Sequence, residues 1–365
     1  MRTDFLSLHP DAFGLDLSDL SLKIVKFKNT RHGIELVSFG NFPVPEGLLE
    51  QGEIKKEGEL ARVIQKTLAQ VHGEKLQTRY VVASLPEEKA FLQVIQLPPM
   101  QEKDVRSAVN FEIENYVPYS PETVYIDSKI VPAIKDHLNH VDVLLAALPR
   151  KIVDSYLSLL QKAGLVPLVF EIESLASSRS LVPQEISQIP MLLVDLGATR
   201  TSIIVFAGFS VRFTVSIAIS SAQLSIAIAK TMGIDVVKAE TLKIQYGVHD
   251  MESKEGREVF DSLVPSLVDL KEQIKKYIDY YEAHTAHEHL MAQETKIKKI
   301  LLAGGGANLP GLREFLEKDL KIPVALGNPW VNILPQPFSR MPPFPLSKAL
   351  EYGTALGLAL RGLNP

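Results

Sequence analysis

Two distant stretches of the chain are written on one plan. Residues 13–27 read FGLDLSDLSLKIVKF and residues 193–206 read LVDLGATRTSIIVF. Each is an apolar run closed by an aspartate, then a turn of small or polar residues, then a second apolar run, which is the pattern of a β-hairpin. The first copy continues into RHGIELVSFGNFPVP with a turn at His32-Gly33, the second into VRFTVSIAIS, and helical patterns follow both. A β-β-β-α unit therefore occurs twice. Duplication on this scale demands two similar halves and favours a ligand between them.

The remaining chain sorts around these units. ELARVIQKTLAQV carries Leu60, Val63, Ile64, Leu68 and Val71 on one helical stripe. From about 76 to 165 short strands surround two helices, EKDVRSAVNFEIENY and RKIVDSYLSLLQKAG, which predicts a compact α+β insert. A strand at 166–172 and a helix from Ser174 lead into the second unit. Helices follow at 221–231 and 236–246, and one long helix from Phe260 to Gln293 contains Pro265, a kink point. The segment 347–363 reads as a C-terminal helix. The expected division is 1–190, interrupted by the insert, and 191–365, with a helical part at about 232–300 and the C-terminal helix packing back on the first half.

The residues at the repeated turns have a shared chemistry. Asp16 and Asp195 each close a strand, and a carboxylate at the mouth of a cleft can hold a hydrated Mg²⁺ through its waters. Ser18 and Ser21, and Gly197, Ala198 and Thr199, let backbone N–H groups close on phosphate oxygens. Lys23 supplies a point charge. Either hairpin alone is also what an ordinary Asp-containing turn looks like; the pairing is the signal. LLAGGGANLPGL (301–312) runs a strand into Gly304, Gly305 and Gly306, then Asn308, leaving bare backbone for a flat ring or sugar. Glu240 and Lys243 stand i, i+3 on a helix, as an ion pair or as a clasp for ribose hydroxyls. Glu173 ends a strand, as a helix-start acid or as a carboxylate that positions a water. His284, His287 and His289 lie in a helix end without a placed acid partner, and no metal site is assigned to them.

These motifs, in this order, resemble the actin/chaperone/sugar-kinase ATPases. More narrowly, the chain resembles the PilM family of type IV pilus assembly proteins, relatives of FtsA. The resemblance is carried by GLDLSDLSLKIVKF, NFEIENYVPYSPETVYID, GLVPLVFEIESLA, LVDLGATRTSIIVF, AETLKIQYG, LLAGGGANLPGL, NPWVNI and YGTALGLALRGL, across nearly the full length. It implies an α/β, duplicated actin-like (ribonuclease H-like) two-domain fold with an FtsA/PilM-type inserted subdomain. ATP and Mg²⁺ would lie in the cleft, with Asp16, Ser18, Ser21 and Lys23 on one side and Asp195, Gly197, Ala198 and Thr199 on the other. Glu240 and Lys243 would face the ribose, and the three glycines and Asn308 the adenosine. It further implies a cytoplasmic adaptor, peripheral at the inner membrane, that binds the N-terminal tail of a PilN-like membrane protein. Asn115, Tyr116, Val117 and Tyr119 are the contributors expected for that contact.

One departure stands out. The family's first loop has glycine where this chain has Ser18, and Asp19 adds a second acid. A carboxylate ~4 Å from a phosphate would cost up to about 4 kcal/mol at an effective dielectric near 20, so the expectation is that Asp19 weakens the site. Slow or absent hydrolysis is expected, Glu173 being the sole candidate for positioning water. The alternatives are a polymerising ATPase like FtsA and a small-metabolite kinase, for which no base is placed in a sugar pocket. A formal charge of −4 gives no nucleic-acid footprint, and the absence of cysteine excludes disulfides and thiolate metal sites. No stretch approaches the ~20 apolar residues of a membrane span, so membrane attachment is expected through a partner.

Overall fold

The computed structural model describes residues 10–132, 139–249, 252–284, 295–334 and 341–363. The two repeated units build two sheets of one topology. In the first, β1 (Ala12–Leu17), β2 (Ser21–Thr30) and β3 (Gly33–Pro43) form an antiparallel meander. A small hairpin, β4 (Leu49–Glu50) and β5 (Glu53–Ile54), precedes α1 (Glu57–Leu68) and β6 (His72–Gly73). Then β7 (Tyr80–Leu85) returns parallel to β1. After the inserted strands β8 (Phe91–Leu97), β9 (Val124–Ile130) and β10 (Val141–Pro149), with helix α2 (Glu102–Glu112) among them, comes α3 (Arg150–Lys162). Finally β11 (Val166–Ile172) adds parallel to β7, giving the order β11-β7-β1-β2-β3-β6.

The second sheet repeats this. After α4 (Glu173–Leu181), β12 (Ser187–Leu196), β13 (Thr201–Gly208) and β14 (Ser210–Ile217) form the second meander. Helices α5 (Ser221–Met232), α6 (Val236–Tyr246) and α7 (Lys254–His284) follow, then β15 (Lys299–Ala303) parallel to β12, α8 (Leu312–Leu320), and β16 (Val324–Leu326) parallel to β15. The strand order β16-β15-β12-β13-β14 has the same senses as β11-β7-β1-β2-β3. Asp16 and Asp195 hold the same place in the two copies, Asp16 opposite Lys23 and Asp195 opposite Ser202.

Local chemistry explains the elements. Ser220 and Asp235 cap α5 and α6 by accepting from the backbone N–H of Gln223 and Lys238, and Gly233 ends α5 in the left-handed conformation. The apolar residues Val259, Leu263, Leu267, Leu270, Ile274 and Ile278 keep one buried face along α7. The helix runs on through Pro265. Its expected extension beyond 284, with His287 and His289, lies outside the described residues. His284 stacks on Tyr280 at 4.7 Å.

The insert differs from expectation at both ends. Of the span 76–165, β7 pairs with β1 and β11 inside the first sheet, and α3 buries Tyr156, Leu159 and Leu160 in the same core as Phe13 and Ile64. Apolar β7 and amphipathic α3 look alike whichever core they enter, so sequence periodicity does not separate them. The segment with its own core is 91–149: α2 lays Val105 and Val109 on Val143 and Leu145 of the β8-β10-β9 sheet. That sheet continues the second one. Gln93 of β8 pairs with Phe213 of β14, and Arg212 donates to Asp142 of β10 at 2.8 Å. Both charged residues are buried, so removal of either would strand the other's charge.

The C-terminal segment divides into α9 (Leu346–Glu351) and α10 (Gly353–Leu363). Helix α10 lies against β1 and α4 at backbone distance: a Cβ on Gly357 would sit 1.8 Å from the Ala176 carbonyl oxygen, and one on Gly14 2.6 Å from the Ala359 nitrogen. Small residues are what this crossing requires.

Candidate functional site

The strand ends carrying Asp16 and Asp195 face one cleft of about 720 Å³, well within the usual range for small-molecule sites. It is lined by Asp16, Ser18, Ser21, Lys23, Glu173, Asp195, Gly197, Ala198, Thr199, Glu240, Lys243, Gly304, Gly305, Gly306 and Asn308. All the residues singled out in sequence for a cofactor are thus brought together, from Asp16 to Asn308, 292 positions apart.

On the first side the turn closes without any left-handed residue. Ser18 N–H donates to the Ser21 carbonyl at 2.9 Å, and the Ser18 and Ser21 hydroxyls lie 2.9 Å apart. None of residues 18–21 has a positive φ, so Ser18 sits in the turn with no backbone strain. Lys23 Nζ donates to Ser21 Oγ at 2.8 Å and approaches Asp16 Oδ2 at 3.4 Å. Asp19 turns away from the cleft. Its carboxylate accepts from the N–H groups of Gln51 and Gly52, each at 3.1 Å. These two residues have φ of 50° and 72° and form the tight turn between β4 and β5, presenting both N–H groups to one anion. The expected repulsion between Asp19 and a phosphate is therefore corrected: the acid anchors the neighbouring hairpin.

On the second side Gly197 N–H donates to the Arg200 carbonyl at 2.9 Å, closing the β12–β13 turn, and the Gly197 and Ala198 carbonyls accept from Ser221 and Ala222 at the start of α5. Asp195 accepts from Ser177 Oγ at 3.2 Å, and Ser177 Oγ lies 2.9 Å from Thr354 Oγ1 at the start of α10. Burial, reinforced by the nearby Asp16, pushes the Asp195 carboxyl up to about 6. The three glycines have different reasons. A Cβ on Gly304 would collide with Asp195 Oδ1 at 2.4 Å, and one on Gly306 with the Leu196 side chain at 2.4 Å. These two let the loop lie on β12, and Gly305 is the one exposed toward the cleft. Asn308 Nδ2 donates to the Ser347 carbonyl at 2.8 Å.

Lys243 is buried and bound four ways, to Ser221 O, Ser221 Oγ, Ser225 Oγ and Glu240 Oε2, at 2.7–2.8 Å. Burial lowers its pKa. The outward group of the pair is Glu240, its side chain 45 % exposed, so the lysine positions and the glutamate presents.

Glu173, the first residue of α4, accepts from Glu87 N–H at 3.3 Å and from Arg200 Nη2 at 3.3 Å on both oxygens. Burial pushes its carboxyl up to about 8 against the pull of Arg200. A group so held is poorly suited to activate water at neutral pH. Sequence reasoning missed Arg200, Ser177, Ser221, Ser225 and Thr354. Arg200 sits within the quoted second turn and Thr354 within the quoted C-terminal segment; Ser177 and Ser221 carry no motif and reach the cleft only by packing, and Ser225 lies behind it as a partner of Lys243.

At the two turns the donors are hard oxygens from Asp16, Asp195 and several hydroxyls, which suits Mg²⁺ held largely through water. Among the described residues no group of three His, Asp or Glu side chains could hold an ion directly. In the insert, Tyr116 and Tyr119 are 37 % and 38 % exposed, and Asn115 Nδ2 bonds Glu112 at 2.8 Å. Val117 is buried in the insert's core and offers no side chain to a partner. Phe111, 85 % exposed nearby, was not singled out.

A family model described as type IV pilus assembly protein PilM matches residues 14–363. A solved PilM-PilN type IV pilus biogenesis complex matches with a TM-score of 0.80 and 27 % identity over 98 % of this chain and 100 % of that one. MreB5 of Spiroplasma citri bound to ADP matches in fold, with a TM-score of 0.55 and 10 % identity over 96 % of this chain and 95 % of that one. Cell division protein FtsA of Pseudomonas aeruginosa is 26 % identical over 210 residues, 53 % of this chain and 47 % of that protein. The chain thus spans about half the length of the curated relatives it matches.

Proposed function

The chain belongs to the PilM family of type IV pilus assembly proteins, and from that premise we propose that it is a nucleotide-binding adaptor. ATP with Mg²⁺ occupies the cleft, and a PilN-like membrane protein docks its N-terminal cytoplasmic tail on the insert. The observation that carries the reading is the facing of two equivalent turns, Asp16 to Lys23 and Asp195 to Thr199, across one cleft. Backbone N–H groups of the two turns and Lys23 would bind the phosphates. Asp16 and Asp195 would hold the Mg²⁺ through water, and the ion would neutralise phosphate charge. Glu240 would take the ribose hydroxyls, with Gly305 and Asn308 beside the base. Among the described residues no helix is long and apolar enough to cross a membrane, which fits attachment through the partner at the inner face of the membrane.

Hydrolysis is slow or absent because burial pushes the Glu173 carboxyl up to about 8, a poor base for water at neutral pH whether or not Arg200 stays beside it. Binding without fast turnover suits a switch, since a ligand shifts a conformational equilibrium by its differential affinity for the two states. Calorimetric titration with ATP-Mg²⁺ and with a PilN-tail peptide tests both halves. Binding of each is expected, with closure of the cleft tightening the peptide. A chain that binds neither, or that rapidly transfers phosphate to a small metabolite, refutes the adaptor reading.

A further inference from the structure

Arg200 is the cation of the second turn, and it lines the cleft. Its guanidinium is not directed at solvent but is shared among three acids of the first half. Nη1 pairs with Glu88 Oε1 and stands 3.9 Å from Asp19 Oδ2, while Nη2 bridges both oxygens of Glu173. All four side chains are at most 17 % exposed. Three carboxyl groups therefore share one cation, and Glu88 Oε2 is buried with no partner among the described residues.

Glu88 has a particular place. It lies in the short helical turn Glu87–Lys89 that joins β7, in the first sheet, to β8, the first strand of the insert. The hydrogen bonds of the rest of this linker go to the first half, although the turn also packs on β14: Glu87 Oε2 accepts from Ser174 N–H at 3.1 Å, Glu87 N–H donates to Glu173, and Lys89 pairs with Glu53 at 3.1 Å. Beyond the linker the insert is tied to the second half, through β8 on β14 and Asp142 on Arg212. Residues 86–90 are thus where the insert crosses from one half to the other.

We propose that Arg200 is a nucleotide-sensing latch on this crossing, and that the terminal phosphate of a bound nucleoside triphosphate draws it from Glu88. The inference rests on the nucleotide reading above and adds how that site would reach the insert. A guanidinium matches phosphate oxygens in a bidentate manner, and a phosphate carries more charge than a carboxylate. When Arg200 turns to the phosphates, Glu88 loses its partner and the linker loosens. The position of the insert on the first half then depends on the nucleotide. A diphosphate, lacking the outermost group, leaves the latch closed.

Hydrogen exchange on the whole chain tests this, with and without ATP-Mg²⁺ and ADP-Mg²⁺, alongside calorimetry. In the wild type, ATP-Mg²⁺ is expected to raise exchange at the amides of residues 87–90 several-fold, and ADP-Mg²⁺ to leave it unchanged. In Glu88→Gln the linker is expected to exchange fast without nucleotide, and triphosphate affinity to rise roughly tenfold, a gain of about 1.4 kcal/mol. Arg200→Ala should also exchange fast, with triphosphate affinity reduced. Failure of the wild type to bind nucleotide overturns the cleft reading and the latch together. Tight binding with exchange at 87–90 unchanged, or Glu88→Gln binding no better than wild type, overturns the latch alone.

Discussion

The tightest crossing in the molecule gives the sharpest test. In Gly357→Ala the new methyl would lie 1.8 Å from the Ala176 carbonyl oxygen, against an ordinary contact of 3.4 Å or more, and it would also meet the Ala176 carbonyl carbon and Cα. All three are backbone atoms of α4, so no rotamer change relieves the clash, and α10 must retreat by about 1.5 Å. Overpacking costs roughly 1–3 kcal/mol, and a contact this short against backbone belongs at the upper end, whereas alanine in place of helical glycine returns at most about 1 kcal/mol. The clash wins, and a net loss of about 2 kcal/mol is expected in urea unfolding. Retreat of α10 also pulls the Gly357 carbonyl from Arg179, now at 3.2 Å, and Thr354 from Ser177, so nucleotide affinity should fall with stability. Gly58→Ala is the control. It lies in α1 with nothing within 4 Å of the new methyl and no positive φ, and it should stabilise by roughly 0.5 kcal/mol. If Gly357→Ala unfolds within 0.5 kcal/mol of the wild type, the backbone-on-backbone packing of α10 is wrong.

Stability should fall as pH rises. Glu173 is raised from 4.5 to about 8 and Asp195 from 3.8 to about 6, so the native state holds protons that the unfolded chain has lost. Their contribution is complete below the unfolded values and gone above the native ones, with a slope of up to about 1.4 kcal/mol per pH unit for each proton. Glu173→Gln should flatten the fall in urea midpoint between pH 6 and 9; an unchanged curve would show that Glu173 is ionised throughout. Asp19→Ala strands the Gln51 and Gly52 N–H groups and should cost about 1–3 kcal/mol, with nucleotide affinity moving less than about tenfold by calorimetry; a thousandfold rise would mean that the acid faces the phosphates. Tyr116→Ala and Tyr119→Ala should weaken binding of a partner-tail peptide without shifting unfolding by more than roughly 0.5 kcal/mol, as expected for exposed positions. Val117→Ala should do the reverse, because its side chain is core.

The sequence alone determined the repeated meander and the residues at its turns. Alternation of apolar and polar residues is a local signal, and an aspartate closing a strand end keeps its place whatever packs around it. Asp16, Asp195 and Gly304 were legible for that reason, and so was their convergence, because duplication of the unit imposes it. The tertiary structure decided what depends on partners distant in sequence. Asp19 lies three residues from Asp16, yet its direction was set by the two left-handed residues Gln51 and Gly52, whose N–H groups offer an anion a better place than the cleft. Likewise β7 and α3 joined the first core, although their apolar patterns would serve the insert equally well. Arg200 stood in plain view in the second turn, but a lone arginine in a loop has no meaning until Glu88 and Glu173, far off in the chain, are brought to its two nitrogens. Local pattern fixes what a residue can do; only the long-range packing of charges and backbone fixes which of those things it does.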